Sequence, residues 1–346
     1  MILDDLLTVQ QETIAKLSSE LVGTPFNIEH IGGGRNSRIY RLSGVNATSY
    51  VVKVYLREPG DSRDRLGTEF NSLTFLWQQG IHNIPRPMSS YPESGIALYE
   101  YIVGDKLFPE SVTNSEVDAA VDFAAQLKML THEPAAALLN PASEAYFSIE
   151  AILNNIQRRL SRLSQDQIEA MLVNFLEREL LPTLDCVNSW ISKRASRQQE
   201  LPGESRVLSP SDFGFHNAIR RNQHEIVFLD FEYFGWDDPA KLISDFLLHP
   251  AMNLNQALAR RFACGIVEKF QAPEWLLEHV KTVYPLFGIK WCLICLNEFL
   301  PEHRRRRQFA AGAEQDWAIV YSQQLSKARQ ILQRINGEYE QFPYFD

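Results

Sequence analysis

Apolar and polar positions along this chain follow a strand period in the first hundred residues and a helical period thereafter. Residues 1–22 begin acidic, with Asp4 and Asp5, and continue as an amphipathic helix. Segments 26–31 and 38–42 read as strands separated by Gly32-Gly33-Gly34-Arg35-Asn36-Ser37, and 50–56 as a β-branched, aromatic strand. Apolar residues at helical spacing mark 68–77, and 96–102 returns to a strand. Beyond it, Ile149, Ile152, Leu153, Ile156, Leu160 and Leu163 define one helical face. Ile168, Met171, Leu172, Phe175 and Leu176 define the next. Leu201-Pro202-Gly203-Glu204 is a polar break before a short strand at 206–208.

Residues that could carry chemistry lie at the ends of these strands. Asp212 and Asn217 stand five apart in Ser209-Pro210-Ser211-Asp212-Phe213-Gly214-Phe215-His216-Asn217, and Asp230 caps the apolar strand 226–229, followed by Phe231 and Glu232. Moving a phosphoryl group off a nucleotide needs oxygen ligands for metal ions and one carboxylate to orient and deprotonate the attacking hydroxyl. Asp212 suits the base, and Asn217 and Asp230 suit the metals. A bare D-x-x-x-x-N spacing recurs by chance, so its meaning depends on what precedes it.

Glycines between two strands permit positive φ and close backbone approach, which fits a loop over phosphates and fits an ordinary hairpin equally. No G-K-[ST] follows, and no helix opens on G-x-G-x-x-G, which disfavours Walker and Rossmann sites. Lys53, in the middle of strand 50–56, is costly to bury without an anionic partner. Glu69, early in helix 68–77, offers one, and nucleotide phosphates would offer another. Snorkelling from an edge strand is the plainer alternative.

Taken in order, the glycine loop, Lys53, Glu69, strand 96–102, Asp212 with Asn217, and Asp230 resemble the aminoglycoside phosphotransferase and choline kinase superfamily, small-molecule kinases of the protein-kinase-like fold. Asp230-Phe231-Glu232-Tyr233 resembles the choline-kinase form of the metal motif, and Asp238-Pro239-Ala240 resembles the G-D-P-A of the aminoglycoside enzymes. The resemblance spans roughly residues 25–250. It implies a bilobal α+β fold: a small lobe with an antiparallel sheet and hinge over 1–102, and a larger, mainly helical lobe over 103–346. The larger lobe is expected to hold the catalytic loop, metal motif and acceptor pocket.

The same resemblance implies ATP (or GTP) with Mg²⁺. The phosphates would lie under Gly32, Gly33, Gly34, Asn36 and Ser37 and on Lys53, with Glu69 holding the lysine. The adenine edge would meet the backbone of Glu100, Tyr101 and Ile102. Asn217, Asp230 and Glu232 would bind the metal, while Asp212 would deprotonate the hydroxyl of an amino sugar, sugar or amino alcohol. Tyr233, Trp236, Asp237, Trp291, Asn297 and Glu298 are candidate acceptor contacts. A buried helix with polar residues at its end is the simpler reading of 290–299, as is a solvated face for the four arginines at 304–307. Everything depends on Lys53, Asp212, Asn217 and Asp230 meeting around one magnesium-bound triphosphate.

Three positions depart from the family pattern. Pro210 stands where a histidine usually precedes the catalytic aspartate by two residues, so the loop needs another brace. Leu242 replaces the aspartate that usually follows G-D-P-A-x, with Asp245 about one turn later. Gly214 replaces a lysine of protein kinases, which argues against a protein substrate. A nucleotide-binding pseudokinase acting as a scaffold, and an adenylylating enzyme, would share these motifs; pyrophosphate release in place of ADP would mark the latter.

Composition is compatible with this reading. The 346 residues suffice for a substantial core, and 45% apolar and 22% charged content is ordinary for a globular chain. A net charge of −9 disfavours nucleic acid as a partner. The four cysteines do not form a secreted disulfide pattern, and Cys292 and Cys295 sit in an apolar run that reads as core helix. No signal peptide and no membrane-length apolar stretch is legible, so a cytoplasmic location is expected, without membrane insertion.

Overall fold

The computed structural model describes residues 8–23, 25–33, 36–45, 48–57, 63–164, 169–304, 307 and 315–345. Residues 1–7 of the leading helix, Gly34 and Arg35 of the glycine loop, Ile168, Arg305 and Arg306 lie outside the described residues. The fold is mixed α+β, with an antiparallel sheet and a larger set of helices. The chain divides into two compact units. Met1–Leu107 with Asn217–Phe234 form one, and Phe108–His216 with Gly235–Asp346 form the other.

The first unit opens with α1 (Thr8–Leu21), followed by β1 (Phe26–Gly33), β2 (Ser37–Gly44) and β3 (Tyr50–Tyr55). Then come α2 (Arg65–Gln78), β4 (Pro87–Tyr91) and β5 (Ile96–Glu100). The sheet is antiparallel in the order β1-β2-β3-β5-β4. Alternation along β3 explains its double burial. Val52 and Val54 join Ile14 and Leu17 of α1, with Tyr40, Leu42 and Leu98, in one core. Each such side chain contributes about 1.5–3 kcal/mol when fully buried. The intervening Lys53 and Tyr55 point to the opposite face, toward Glu69 of α2. Asp64 caps the start of helix α2, where its Oδ1 accepts from Gly67 N–H at 2.9 Å.

A second small sheet completes this unit: β6 (Asp105–Lys106) pairs with β8 (Ala218–Arg221), and β8 with β9 (Glu225–Phe228). The family resemblance groups the metal motif with the helical part. Its strands instead take their backbone partners from β6, so Asn217–Phe234 counts with the first unit.

In the second unit the helices are α3 (Asn114–Met129), α4 (Ile149–Leu163), α5 (Ala170–Phe175) and α6 (Leu181–Ile191), the last two linked by a wider turn at Leu176–Leu180. After β7 (Val207–Ser209) and β10 (Gly235–Asp237), which pair antiparallel, follow α7 (Pro239–Leu248), α8 (Gln256–Lys269), α9 (Glu274–Cys295) and α10 (Trp317–Glu338). The faces of α4 and α5 anticipated from spacing are buried at Ile149, Ile152, Ile156, Leu160, Leu163, Leu172 and Phe175. Helix α9 is the core of this unit and packs against α7 and α10. Cys292 and Cys295 are buried inside it as thiols, and Cys292 Sγ donates to Ala328 O at 3.3 Å. Among the described residues no helix is long and apolar enough to cross a membrane.

Candidate active site

In the first unit the site is organised around Lys53. Its Nζ lies 2.7 Å from Glu69 Oε2, 2.8 Å from Asp230 Oδ1 and 4.0 Å from Glu232 Oε2. Glu69 also accepts from Tyr55 Oη at 2.7 Å and from Phe231 N–H at 3.3 Å, and Tyr55 and Tyr99 share a hydrogen bond of 2.8 Å. Burial alone would lower the Lys53 ammonium, but Asp230, Glu69 and Glu232 together hold it well above its ordinary value. Burial, reinforced by the Asp230 charge, pushes Glu232 up to about 7 despite Lys53.

Oxygens of Glu69, Asp230 and Glu232 all lie within 4.8 Å of one another. Three carboxylates face Lys53, with Arg65 3.8 Å from Glu232 as a second cation, which leaves one more negative than positive group when all are ionised. An all-oxygen donor set with surplus negative charge fits a hard divalent cation such as Mg²⁺. Glu69 is committed to Lys53, Tyr55 and Phe231, which leaves Asp230 and Glu232 as the available donors. Asp230 is the more open of these, with its side chain 36% exposed, and its backbone is left-handed at φ 65°. A non-glycine residue holds that conformation only where its surroundings fix it. Asn217 O accepts from Leu229 N–H at 2.8 Å, which sets Asn217 and Asp230 at the same end of the β8–β9 hairpin.

The glycine loop differs in detail from the sequence expectation. Strand β1 continues through Gly33, with a bulge between His30 and Gly32, and neither Gly32 nor Gly33 has positive φ. Close approach is the operative constraint at Gly33, where a Cβ would sit 2.7 Å from Ser37 O; at Gly32 it would meet nothing within 4 Å. Ser37 is buried in β2, and Asn36 Nδ2 donates to Glu232 Oε1 and to Tyr233 Oη, each at 2.6 Å. Sheet pairing on the hinge side ends at Glu100, opposite Tyr50. The Arg41 guanidinium stacks 4.5 Å over the Tyr101 ring, and Ile102 is buried. Sequence reasoning missed Arg65, whose Nε lies 3.8 Å from Glu232, and Tyr55, which steadies Glu69.

A second cluster, in the second unit, surrounds Asp212. Its Oδ1 lies 3.1 Å from His216 Nε2 and 3.6 Å from His249 Nε2. The two imidazoles stack at 3.8 Å with 3° between their planes, and Trp291 meets His249 edge-on at 4.6 Å. Burial, then the adjacent His216, brings His249 down to about 4. The residue before Asp212, Ser211, is left-handed at φ 67°.

Among the acceptor candidates, Asp237 is fully buried and accepts from Lys241, while Trp291 Nε1 donates to Asp245 at 2.7 Å. Trp236 Nε1 donates to Ala136 O at 3.0 Å. Asn297 and Glu298 are buried in the turn after α9, with Arg307 3.4 Å from Glu298. Tyr233 stands in the first unit beside Asn36. His216, His249 and Lys241 were not singled out from the sequence. The only signal for His216 was its place inside the D-x-x-x-x-N segment.

No curated protein sequence matches the chain. Among solved structures it is similar to a choline kinase of Streptococcus pneumoniae (15% identity, 95% of this chain and 100% of that chain covered, TM-score 0.62). It is also similar to a choline/ethanolamine kinase family protein of Mesorhizobium loti (15%, 96% and 98%, 0.60). A third is a spectinomycin phosphotransferase solved in complex with ADP and spectinomycin (13%, 96% and 98%, 0.66). At such low identity these likenesses establish a kinase-like fold. The sequence itself matches the phosphotransferase enzyme family over residues 27–268, more than two thirds of its length. The chain therefore belongs to that family, as a small-molecule phosphotransferase with a kinase-like fold.

Proposed function

We propose that this protein transfers the terminal phosphoryl group of ATP to a hydroxyl of a small molecule, with Asp212 as the base. The observation that carries this reading is the cluster of Lys53 with Glu69, Asp230 and Glu232. Such an arrangement presents one fixed ammonium for phosphate oxygens beside surplus carboxylates for a cation. Lys53, oriented by Glu69, binds the phosphates beneath the β1–β2 turn, and the backbone after Glu100 meets the adenine. Asn217, Asp230 and Glu232 would hold Mg²⁺, which would supply positive charge against that building on the transferring group. Asp212 orients the acceptor hydroxyl and takes its proton as that oxygen bonds to phosphorus; the leaving ADP oxygen keeps the electron pair of the broken bond. His216, 3.1 Å from Oδ1, and His249, 3.6 Å from it, stand beside Asp212 and steady its carboxylate for that task. An amino alcohol, amino sugar or sugar is the proposed acceptor class, on the strength of the motif wording and the choline and spectinomycin enzymes among the structural neighbours. A cytoplasmic setting, where ATP is at hand, completes the reading.

ADP release from Mg-ATP, screened against hydroxyl-bearing metabolites, tests the proposal. Asp212→Asn should lower turnover by about 10²–10⁴-fold, or roughly 3–5 kcal/mol in barrier, with Tm nearly unchanged. Asp230→Ala should abolish Mg²⁺-dependent nucleotide binding as well. Full turnover in Asp212→Asn would remove Asp212 from the role of base, and release of pyrophosphate would make the enzyme an adenylyltransferase.

A further inference from the structure

We infer that Lys241 is a positioning residue that braces the catalytic loop through the Ser211 hydroxyl, taking over where Pro210 offers no side-chain hydrogen bond; the inference rests on Asp212 being the base. The loop needs such a brace. Ser211, next to Asp212, is left-handed at φ 67°, a conformation that costs a serine energy and persists only where neighbours enforce it. Two contacts do so. Ser211 N–H donates to Ser209 Oγ at 2.9 Å, which ties it back to the end of β7. Ser211 Oγ accepts from Lys241 Nζ at 2.9 Å.

Lys241 is suited to hold still. It is wholly buried on α7, and Nζ lies 2.7 Å from Asp237 Oδ2 at the end of β10 and 3.1 Å from Asp245 Oδ2 one turn along the helix. Three ammonium hydrogens thus meet three acceptors, so the nitrogen cannot shift toward one without leaving another. Asp245 is fixed in turn by Trp291 Nε1 of α9 at 2.7 Å. The ammonium therefore refers Ser211 to β10, α7 and α9 at once. Stability alone does not call for this arrangement, since an apolar replacement of a buried ion group is often as stable. A fixed reference point for the peptide entering Asp212 is what the arrangement supplies.

Three variants separate positioning from structural support. Ser211→Ala removes the hydroxyl and leaves Lys241 its two aspartates. Ser211→Asn keeps a side-chain acceptor on a residue that tolerates left-handed backbone. Lys241→Met removes the ammonium itself, and its Tm reports whether the fold survives. ADP release from Mg-ATP is measured with water and with the acceptor found in the screen. Ser211→Ala should lower kcat about 10-fold or more, with KM for ATP and Tm unchanged, since a small misplacement of a catalytic group is that costly. Ser211→Asn should regain most of the loss. Wild-type kcat in Ser211→Ala beside an inactive Asp212→Asn overturns this inference and leaves the base assignment standing. A fall in kcat that only tracks a fall in Tm, with no recovery in Ser211→Asn, overturns it as well. An active Asp212→Asn removes the reading on which it rests.

Discussion

Replacing Lys53 with methionine keeps most of the buried stem and removes the ammonium from among Glu69, Asp230 and Glu232. At an effective dielectric of about 20, a charge pair at roughly 2.8 Å carries ~6 kcal/mol of gross attraction. Dehydration of the ammonium offsets most of that. Leaving buried carboxylates without their partner costs about 3–5 kcal/mol net. Protonation limits the loss. Glu232 already stands at about 7 against an ordinary 4.5, and without Lys53 it rises further. A carboxyl whose folded value is raised binds more protons folded than unfolded above 4.5, so stability falls as pH rises through that window. The variant should therefore lose ~3–5 kcal/mol at about pH 8.5 and no more than about half of that at about pH 5.5. Urea unfolding followed by circular dichroism at the two pH values measures the difference. Millimolar Mg²⁺ should recover part of the loss at the higher pH, because a cation bound only by the folded state stabilises it. A variant as stable as wild type at about pH 8.5 would falsify the convergence of these carboxylates on Lys53, and the proposed phosphate site would fall with it.

Two further outcomes follow from the geometry. Gly33→Ala forces a Cβ to 2.7 Å from Ser37 O; it should cost about 1–3 kcal/mol and raise KM for ATP, whereas Gly32→Ala, with open space, should do neither, and equal effects would sink the close-approach argument. His249 stays neutral in the fold down to about 4, while an unfolded histidine protonates near 6.5. Its contribution is therefore complete above 6.5 and lost as pH falls toward 4, at most about 3 kcal/mol. His249→Asn should flatten the acid side of a stability-against-pH curve, and an unaltered slope counts against the burial of this imidazole.

The first unit was more legible in the sequence than the second for a physical reason. A lysine between Val52 and Val54 declares its own face through the period of two, and a glutamate early in the following helix is the nearest available counter-ion. The pairing of Lys53 with Asp230, 177 residues apart, had no local signal beyond the order of motifs. In the second unit the brace on Ser211 comes from Lys241, thirty residues on, and the stack of His216 on His249 joins a loop to the end of a helix. Such contacts depend on which helix faces meet, and an apolar stripe marks the buried face without naming its neighbour. Asp237, expected to border the acceptor, lies fully buried against Lys241, four residues on. The short strands β6, β8 and β10 were also invisible, being only two to four residues long.

The interleaving of the two units along the chain bears on how this protein can be cut and recombined. A fragment ending at Leu107 would lack the hairpin from Asn217 to Phe234, and with it Asp230, Glu232 and the strand that pairs with β6. A chimera that exchanges the amino-terminal part with that of a relative must therefore carry the later segment along, or Lys53 will be left facing a stranger's carboxylates.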